Sequence, residues 1–257
     1  MPRTLVVIPC FNEARRLPGD AIVSFAKARS DVGFLLVDDG STDGTAELLR
    51  NLREQLPERI EVLELPRNGG KAEAVRQGMR RALGTDCEYC GYFDADLATP
   101  LSEIPRFAEV LDENPECQAV FGARVQLLGR QIVRNPLRHY LGRVFATVAS
   151  NVLSLPVYDT QCGAKMFRSG PLVRSLFADP FLSNWVFDVE ILARLIASWQ
   201  RDGGTPPEVC VHELPLMQWV DVAGSKVRPL DFIRAVGELL RIRARYLRSA
   251  RRPPGIT

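Results

Sequence analysis

Through the first hundred residues, short apolar runs of strand length alternate with longer amphipathic segments. Thr4-Leu5-Val6-Val7-Ile8 is an apolar, β-branched run bounded by Pro9, which reads as a buried strand. Ala21 to Arg29 has helical character, and Phe34 to Val37 is a second strand that ends in the turn-rich DDGSTDGT. Thr42 or Asp43 can cap the following helix, where Ala46, Leu48, Leu49 and Leu52 recur at helical spacing. Ile60 to Leu65 is predicted as a third strand, Lys71 to Leu83 as a third helix, and Tyr89 to Phe93 as a fourth strand ending at Asp94. Farther on the pattern is less regular. It predicts a strand over Ala119 to Ala123, a long helix over Pro136 to Leu153 and another over Ser183 to Trp199. A late strand over Cys210 to Trp219 and an amphipathic helix over Leu230 to Leu247 follow. No internal repeat, low-complexity segment or linker divides the chain.

Strand-helix-strand alternation implies an α/β fold, a mostly parallel sheet covered by helices on both faces. In such sheets the ligand lies outside the carboxyl ends of the strands. The polar residues obey that rule. Asn12 and Glu13 follow the first strand, Asp38 and Asp39 the second, Asn68 to Lys71 the third, and Asp94 and Asp96 the fourth. One ligand touching four successive strand ends accounts for each of them ending in polar chemistry.

Composition narrows the class without naming it. The 257 residues are 46% hydrophobic, enough to bury a large single core, and a net charge of +2 gives no case for nucleic acid as a partner. Charge is concentrated at the C-terminal end, where Arg241, Arg243, Arg245, Arg248, Arg251 and Arg252 stand with only neutral residues between them. Such an end suits peripheral contact with an anionic membrane surface, and equally a solvated helix terminus. No stretch has the roughly 18 uninterrupted apolar residues of a membrane span, and the opening segment does not read as a signal peptide. The expectation is a cytoplasmic protein, with any membrane contact made from the cytoplasmic face. Six scattered cysteines include one isolated CxxC pair, Cys87 and Cys90, and are expected to be reduced, packed thiols.

Asp94-Ala95-Asp96 is the most informative motif. Two carboxylates flanking one small residue at a strand end can hold a divalent ion, Mg²⁺ or Mn²⁺, and leave positions open for phosphate oxygens. Two acidic residues at this spacing are common on loops; the preceding strand and the neighbouring polar ends favour the metal reading. Turn and cap chemistry accounts for Gly40 to Gly44 but does not require the adjacent carboxylates of Asp38 and Asp39. Gly69-Gly70-Lys71 opens a helix where backbone N–H groups and a lysine favour phosphate, without the spacing of a Walker loop.

Together these stretches resemble the family 2 glycosyltransferases of the GT-A fold. VVIPCFNE, VDDGSTDGT, NGGKAEAVRQGM and YFDADLATP stand in the family's order, followed by FGARV, DTQCGAKMFR, NWVFDVEILARL and WVDVAGSKV. The later stretches are the selective ones. They are similar to the dolichyl-phosphate β-glucosyltransferase branch and its polyprenyl-phosphate relatives more than to the dolichyl-phosphate mannosyltransferases. The resemblance runs to about Val227 and implies a glycosyltransferase domain over 1–229, with 1–100 as the nucleotide half and 101–229 as the acceptor and sugar half. A basic amphipathic helix and tail, 230–257, completes the chain. Two departures stand out: eukaryotic members carry an N-terminal membrane helix not seen in this sequence, and Leu97 replaces a small residue common in the branch.

By that resemblance Pro9, Asn12, Glu13 and Asp39 surround the nucleoside, with Lys71 beside it. Asp94 contacts the nucleotide-sugar and Asp96 the metal. Arg124 approaches the phosphates, and Asp159, Gln161 and Lys165 line the sugar and acceptor side. Trp185, Asp188 and Glu190 lie near the donor sugar, and Lys226 on a closing loop. Trp185 and Trp219 can also simply pack in the core, and Asp188 and Glu190, two apart on a helix, do not both face one ligand. Arg138 and Arg143 suit an acceptor phosphate or a carboxylate partner equally.

The implied reaction is inverting transfer of a sugar, glucose from UDP-glucose by resemblance, to a polyprenyl or dolichyl phosphate. GDP-mannose and a soluble or polysaccharide hydroxyl acceptor are the alternatives. A phosphate acceptor is already ionised at neutral pH and needs no general base. A hydroxyl acceptor needs a carboxylate such as Asp159, Asp188 or Glu190 to take its proton, so Asp188→Asn is expected to separate the two cases. Nucleotidyl transfer fits poorly, because PCFNEARRL is not a glycine- and arginine-rich phosphate loop. An intact DAD beside phosphate-suited residues argues against a non-catalytic sensor.

Overall fold

The computed structural model describes residues 2–133, 136–221 and 229–247, with the side chains of 136–139 and 229–233 outside the description. The first half follows the predicted alternation: β1 (Thr4–Cys10), α1 (Gly19–Ala28), β2 (Val32–Asp38), α2 (Thr45–Gln55), β3 (Ile60–Glu64), α3 (Lys71–Leu83) and β4 (Tyr89–Phe93). A 3-10 turn and α4 (Ile104–Glu113) lead to β5 (Ala119–Ala123), β6 (Gln131–Val133) and α5 (Pro136–Leu153). Then come β7 (Ala164–Arg168), α6 (Pro171–Leu176), α7 (Phe187–Asp202), α8 (Pro207–Cys210), β8 (Val211–Pro215), β9 (Gln218–Val220) and α9 (Pro229–Ile242), which ends in a π-helical turn.

Seven strands form one sheet in the order β3-β2-β1-β4-β7-β5-β8, parallel except for β7. Strand β1 continues through Pro9 because it pairs with β4 only from Thr4 to Val7, so the missing N–H lies past the shared ladder. Alternation along β1 sends Leu5 and Val7 into one core cluster and Val6 and Ile8 into the other. One cluster packs under α3, α5, α7 and α9, the other under α1, α2 and α4. Helix α3 lies especially close to the sheet. A Cβ on Gly78 would sit 2.3 Å from Val7 Cγ1, so a bare Cα there sets how near the helix and its leading Lys71 come to β1.

Strand β7 was not foreseen from the sequence, yet it decides the layout of the site. Running antiparallel between β4 and β5, it starts beside the end of β4, with Ala164 opposite Phe93. The segment before it, 159–163, therefore lies at the same sheet edge as Asp94 and Arg124. The predicted late strand divides: Cys210 closes α8, Val211–Pro215 joins the main sheet, and Gln218–Val220 pairs instead with β6 in a two-stranded ribbon. The helix expected from Ser183 begins at Phe187, and Ser183 Oγ accepts the N–H groups of Trp185 and Val186 ahead of it. The C-terminal helix is no appendage, since Ala235, Leu239 and Ile242 are buried in the main core. Among the described residues no helix is long and apolar enough to cross a membrane, and all six cysteines are free and buried.

Candidate functional site

At the ends of β1 and β2, polar side chains mainly tie loops to one another. Asn12, at φ 55°, accepts the Thr42 N–H on its Oδ1 at 2.9 Å, and its own N–H donates to Ser41 Oγ at 3.0 Å. Glu13 is nearly buried and pairs with Arg16, while its N–H donates to Thr45 Oγ1 at 2.8 Å. Pro9 sits inside β1 opposite Val37. Asp38 Oδ1 accepts the Ser41 N–H.

Asp39 has a sharper task than the sequence suggested. Its two oxygens accept the N–H groups of Gly69 and Gly70, each at 2.8 Å, and Asn68 Nδ2 adds a third bond at 3.0 Å. Burial raises its pKa, opposed by those two amides. The glycine N–H groups that the sequence offered to phosphate are thus committed to Asp39, which shapes the turn that launches α3. Lys71, the first residue of that helix, reaches across to Asp94, Nζ to Oδ1 at 2.5 Å. Burial works to lower the Lys71 pKa, but the carboxylates of Asp94, Asp188 and Asp96 outweigh it and hold it up.

Asp94 is positioned from below as well. Its N–H donates to Gly163 O at 2.9 Å, and its carboxylate fills the space where a side chain on residue 163 would stand. The chain then turns sharply. Leu97 adopts φ 50°, a left-handed geometry that costs about 1–2 kcal/mol for a non-glycine residue, and Asp96 Oδ1 accepts the Ala98 N–H at 3.0 Å. Burial raises the Asp96 pKa, the Ala98 N–H opposes, and the charges of Asp94 and Glu13 add to the rise. Two hard oxygen donors in mutually repelling carboxylates, faced by a single lysine, suit a hard divalent cation. Among the described residues no third His, Cys, Asp or Glu joins them in a metal cluster, so Asp94 and Asp96 fit an ion that takes its remaining ligands from phosphate and water.

Farther along the edge, Arg124 and Asp159 form a two-pronged pair, Nε to Oδ2 at 2.7 Å and Nη2 to Oδ1 at 2.8 Å. Burial disfavours the Arg124 charge, and Asp159 more than offsets it, raising the pKa. Glu213 holds the loop by accepting the N–H groups of Tyr158 and Asp159 at 2.7 and 2.8 Å. Arg143 stacks on the Tyr158 ring at 3.7 Å and donates to Tyr158 O. Arg124, Arg143, Tyr158 and Asp159, with Thr160, Gln161 and the apolar Phe145 and Ala146, line a small recess. Thr160 Oγ1 and Gln161 Nε2 are buried there without a protein partner, an arrangement that calls for a polar guest.

Three predicted contacts lie elsewhere. Lys165 is fully buried in β7, its Nζ on Asp188 Oδ1 at 2.6 Å and on Cys162 O at 2.6 Å. Tyr92 donates its hydroxyl to the same Asp188 oxygen at 2.5 Å. Lys165 therefore cannot line a substrate surface, and Asp188 belongs to the floor of the site, electrostatically beside Lys71. Glu190 is completely buried, paired with Arg194 at 2.7 Å and bonded to the Leu182 N–H and the Tyr246 hydroxyl. It therefore does not reach the donor side where the resemblance placed it; of the pair two apart on the helix, Asp188 is the one turned to the site. Trp185 packs on Phe145, ring centroids 6.2 Å apart. Lys226 lies outside the described residues. Asp188→Asn is also a poorer discriminator than the sequence suggested, because it removes the counter-charge of a buried lysine. Tyr92, Gly163 and Glu213 escaped the sequence reading: each acts by touching a residue distant in the chain, and only the DTQCG string around Gly163 offered a signal.

A family model described as glycosyl transferase family 2 matches residues 5–174. A dolichyl-phosphate beta-glucosyltransferase of Dictyostelium discoideum is 32% identical over 256 residues, covering 94% of this chain and 74% of that protein. Glucosyl-3-phosphoglycerate synthase from Mycobacterium tuberculosis, in complex with Mn²⁺, UDP-glucose and phosphoglyceric acid, superposes with a TM-score of 0.61 at 20% identity, over 95% of this chain and 80% of that one. A mannosyltransferase from Pyrobaculum calidifontis in complex with GDP-Man and Mn²⁺ gives 0.64 at 19% identity, over 98% and 66%. These likenesses carry the fold, a GT-A architecture with a mostly parallel central sheet.

Proposed function

Because this chain belongs to the family 2 glycosyltransferases, we propose that it transfers glucose from UDP-glucose, with inversion, to the phosphate of a polyprenyl or dolichyl carrier. One observation carries the choice of acceptor. The three carboxylates that the sequence offered as a base for a hydroxyl acceptor are each already in an ion pair: Asp159 with Arg124, Asp188 with Lys165, Glu190 with Arg194. An acceptor phosphate, ionised at neutral pH, needs no such base. The recess beside Arg124 and Arg143 suits an anionic group, and the 159–163 segment joins it directly to the floor under Asp94. The beta-glucosyltransferase relative favours glucose as the sugar.

In this reading Asp94 and Asp96 hold Mg²⁺ or Mn²⁺, which when bound offsets charge on the departing diphosphate. Lys71 adds a second positive charge at the same place, held there by its pair with Asp94. Asp39 acts at one remove, fixing the turn from which Lys71 projects. Arg124 and Arg143, with Thr160 and Gln161, orient the attacking phosphate. On this proposal the reaction runs at the cytoplasmic membrane face, where a water-soluble donor meets a lipid acceptor.

A donor screen with short-chain polyprenyl phosphate and Mg²⁺ or Mn²⁺ tests the reading. Glucosylated lipid phosphate formed from UDP-glucose and abolished by EDTA is the expected result. Glycosylation of a free sugar with none of the lipid phosphate overturns it.

A further inference from the structure

The loop that leads into α7 is fastened from α3, α7 and α9. Buried Arg194 of α7 donates to the carbonyl oxygens of Leu176, Asp179 and Pro180 at 2.8, 2.9 and 2.7 Å. Buried Arg76 of α3 donates to that of Ala178 at 2.9 Å, and Glu190 accepts the Leu182 N–H at 2.8 Å. The buried Ser183 hydroxyl donates to Glu238 of α9 while accepting the N–H groups of Trp185 and Val186. A backbone held at so many points delivers the next side chain, Asn184, to one place. Its carboxamide lies over Gly70: a Cβ at position 70 would stand 3.2 Å from Asn184 Cγ, 3.3 Å from Nδ2 and 3.5 Å from Oδ1. The Gly69 and Gly70 amides are taken by Asp39, whereas the Asn184 carboxamide is exposed and makes no hydrogen bond with the described residues. Of residues 184–188 only Asn184 is exposed. Trp185 packs on Phe145, Val186 and Phe187 are buried, and Asp188 is held by Lys165 and Tyr92.

This segment spans the interval that a transferred sugar has to occupy. At one end Asn184 stands over the turn that leads to Lys71 and its partner Asp94. At the other, Trp185 packs on Phe145, which lines the recess with Arg124 and Arg143. Displacement with inversion puts the attacking and leaving oxygens on opposite faces of the sugar ring. The ring therefore lies between a diphosphate at Asp94 and an acceptor in the recess. A carboxamide suits what a sugar presents, because it offers N–H donors and a carbonyl acceptor to hydroxyls that themselves donate and accept. A phosphate, which only accepts, would leave that carbonyl without a partner.

We propose that Asn184 reads the transferred sugar, its carboxamide hydrogen-bonding a hydroxyl of the donor hexose beside the Gly70–Lys71 turn. The inference rests on the glycosyl-transfer reading above and deepens it by naming a group that recognises the sugar rather than the nucleotide.

Calorimetry on the full chain with Mn²⁺ and no acceptor compares UDP and UDP-glucose in the parent and in Asn184→Ala. Because Asn184 is exposed and its carboxamide unbonded, the variant should keep its Tm within about 2 °C. Its Kd for UDP should stay within about twofold of the parent, while its Kd for UDP-glucose should rise about tenfold. Transfer from UDP-glucose analogues that each lack one hydroxyl, at C2, C3, C4 or C6, then locates the contact. One analogue should cost the parent about tenfold in kcat/KM and cost Asn184→Ala little further. Equal weakening of UDP and UDP-glucose would make Asn184 a contact of the nucleotide and overturn the proposal. Unchanged UDP-glucose binding, or the same losses across the analogues in both proteins, overturns it too. The donor and acceptor readings fail separately. A parent that binds GDP-mannose instead of UDP-glucose removes glucose as the sugar, and the same comparison between GDP and GDP-mannose decides Asn184. Glycosylation of a free sugar alone removes the lipid phosphate, and the acceptor-free contrast still decides Asn184.

Discussion

Gly163→Ala is the most searching test of how the site is built. The added Cβ would stand 2.0 Å from Asp94 Oδ2 and 2.2 Å from its Cγ. Ordinary contact between such atoms is about 3.5–4.0 Å, so the carboxylate must retreat by roughly 1.5 Å. The backbone cannot open to relieve the clash, because the Asp94 N–H is bonded to Gly163 O at 2.9 Å and Ala164 is in register with Phe93. Asp94 must therefore rotate, abandoning Lys71 at 2.5 Å and its place beside Asp96. A displacement near 1 Å in a positioned group costs about a hundredfold in rate, and an overpacked methyl costs about 1–3 kcal/mol of stability. We expect glucosyl transfer from UDP-glucose to a short polyprenyl phosphate to fall about a hundredfold, with a Tm lower by roughly 2–8 °C. The control is Asp94→Ala, which is itself expected to be inactive but removes the clashing carboxylate. In that background Gly163→Ala should cost little further stability, a non-additivity read from a double-mutant cycle. Activity within threefold of the parent, or an equal loss of Tm in both backgrounds, refutes the reasoning.

Lys165→Met should destabilise the fold by about 3–5 kcal/mol by stranding the buried Asp188 charge, and adding Asp188→Asn should recover part of it in chemical denaturation. Asp39→Asn replaces one acceptor oxygen with a donor facing a glycine N–H. A loss of about 1–3 kcal/mol and a lower kcat through Lys71 are expected, and a neutral effect on both would contradict the mooring role. The raised pKa of Asp96, due first to burial, means that protons compete with the divalent ion at a higher pH than at an ordinary aspartate. Mn²⁺ affinity in the presence of UDP, measured by calorimetry, should therefore weaken as pH falls from 7 towards 5, and Asp96→Asn should remove most of that dependence. A flat profile in the parent would tell against Asp96 as a ligand.

Chain order alone was enough to locate the candidate site in the first half, because its strands are continuous apolar runs and each ends in a short polar string. Four such ends on one parallel sheet edge must share a ligand region, so Asp94, Asp96 and Lys71 could be grouped before any coordinates. The second half hid its plan. Strand β7 contains Lys165 and Arg168, charges that break the apolar pattern, and only its burial between β4 and β5 makes Ala164–Arg168 a strand. Likewise Cys210 to Trp219 reads as one run, but Pro215 ends the ladder and the chain crosses to the β6 ribbon. What a polar residue does with its hydrogen bonds depends on neighbours far away in sequence. Asp39 turned to Gly69 and Gly70, Asp188 to Lys165 and Tyr92, and Glu190 to Arg194 and Tyr246. Residue types and spacing thus determined which chemistry is present and at which edge. The tertiary structure decided which of those groups face a ligand, because a buried charge must first satisfy itself with whatever the fold brings beside it.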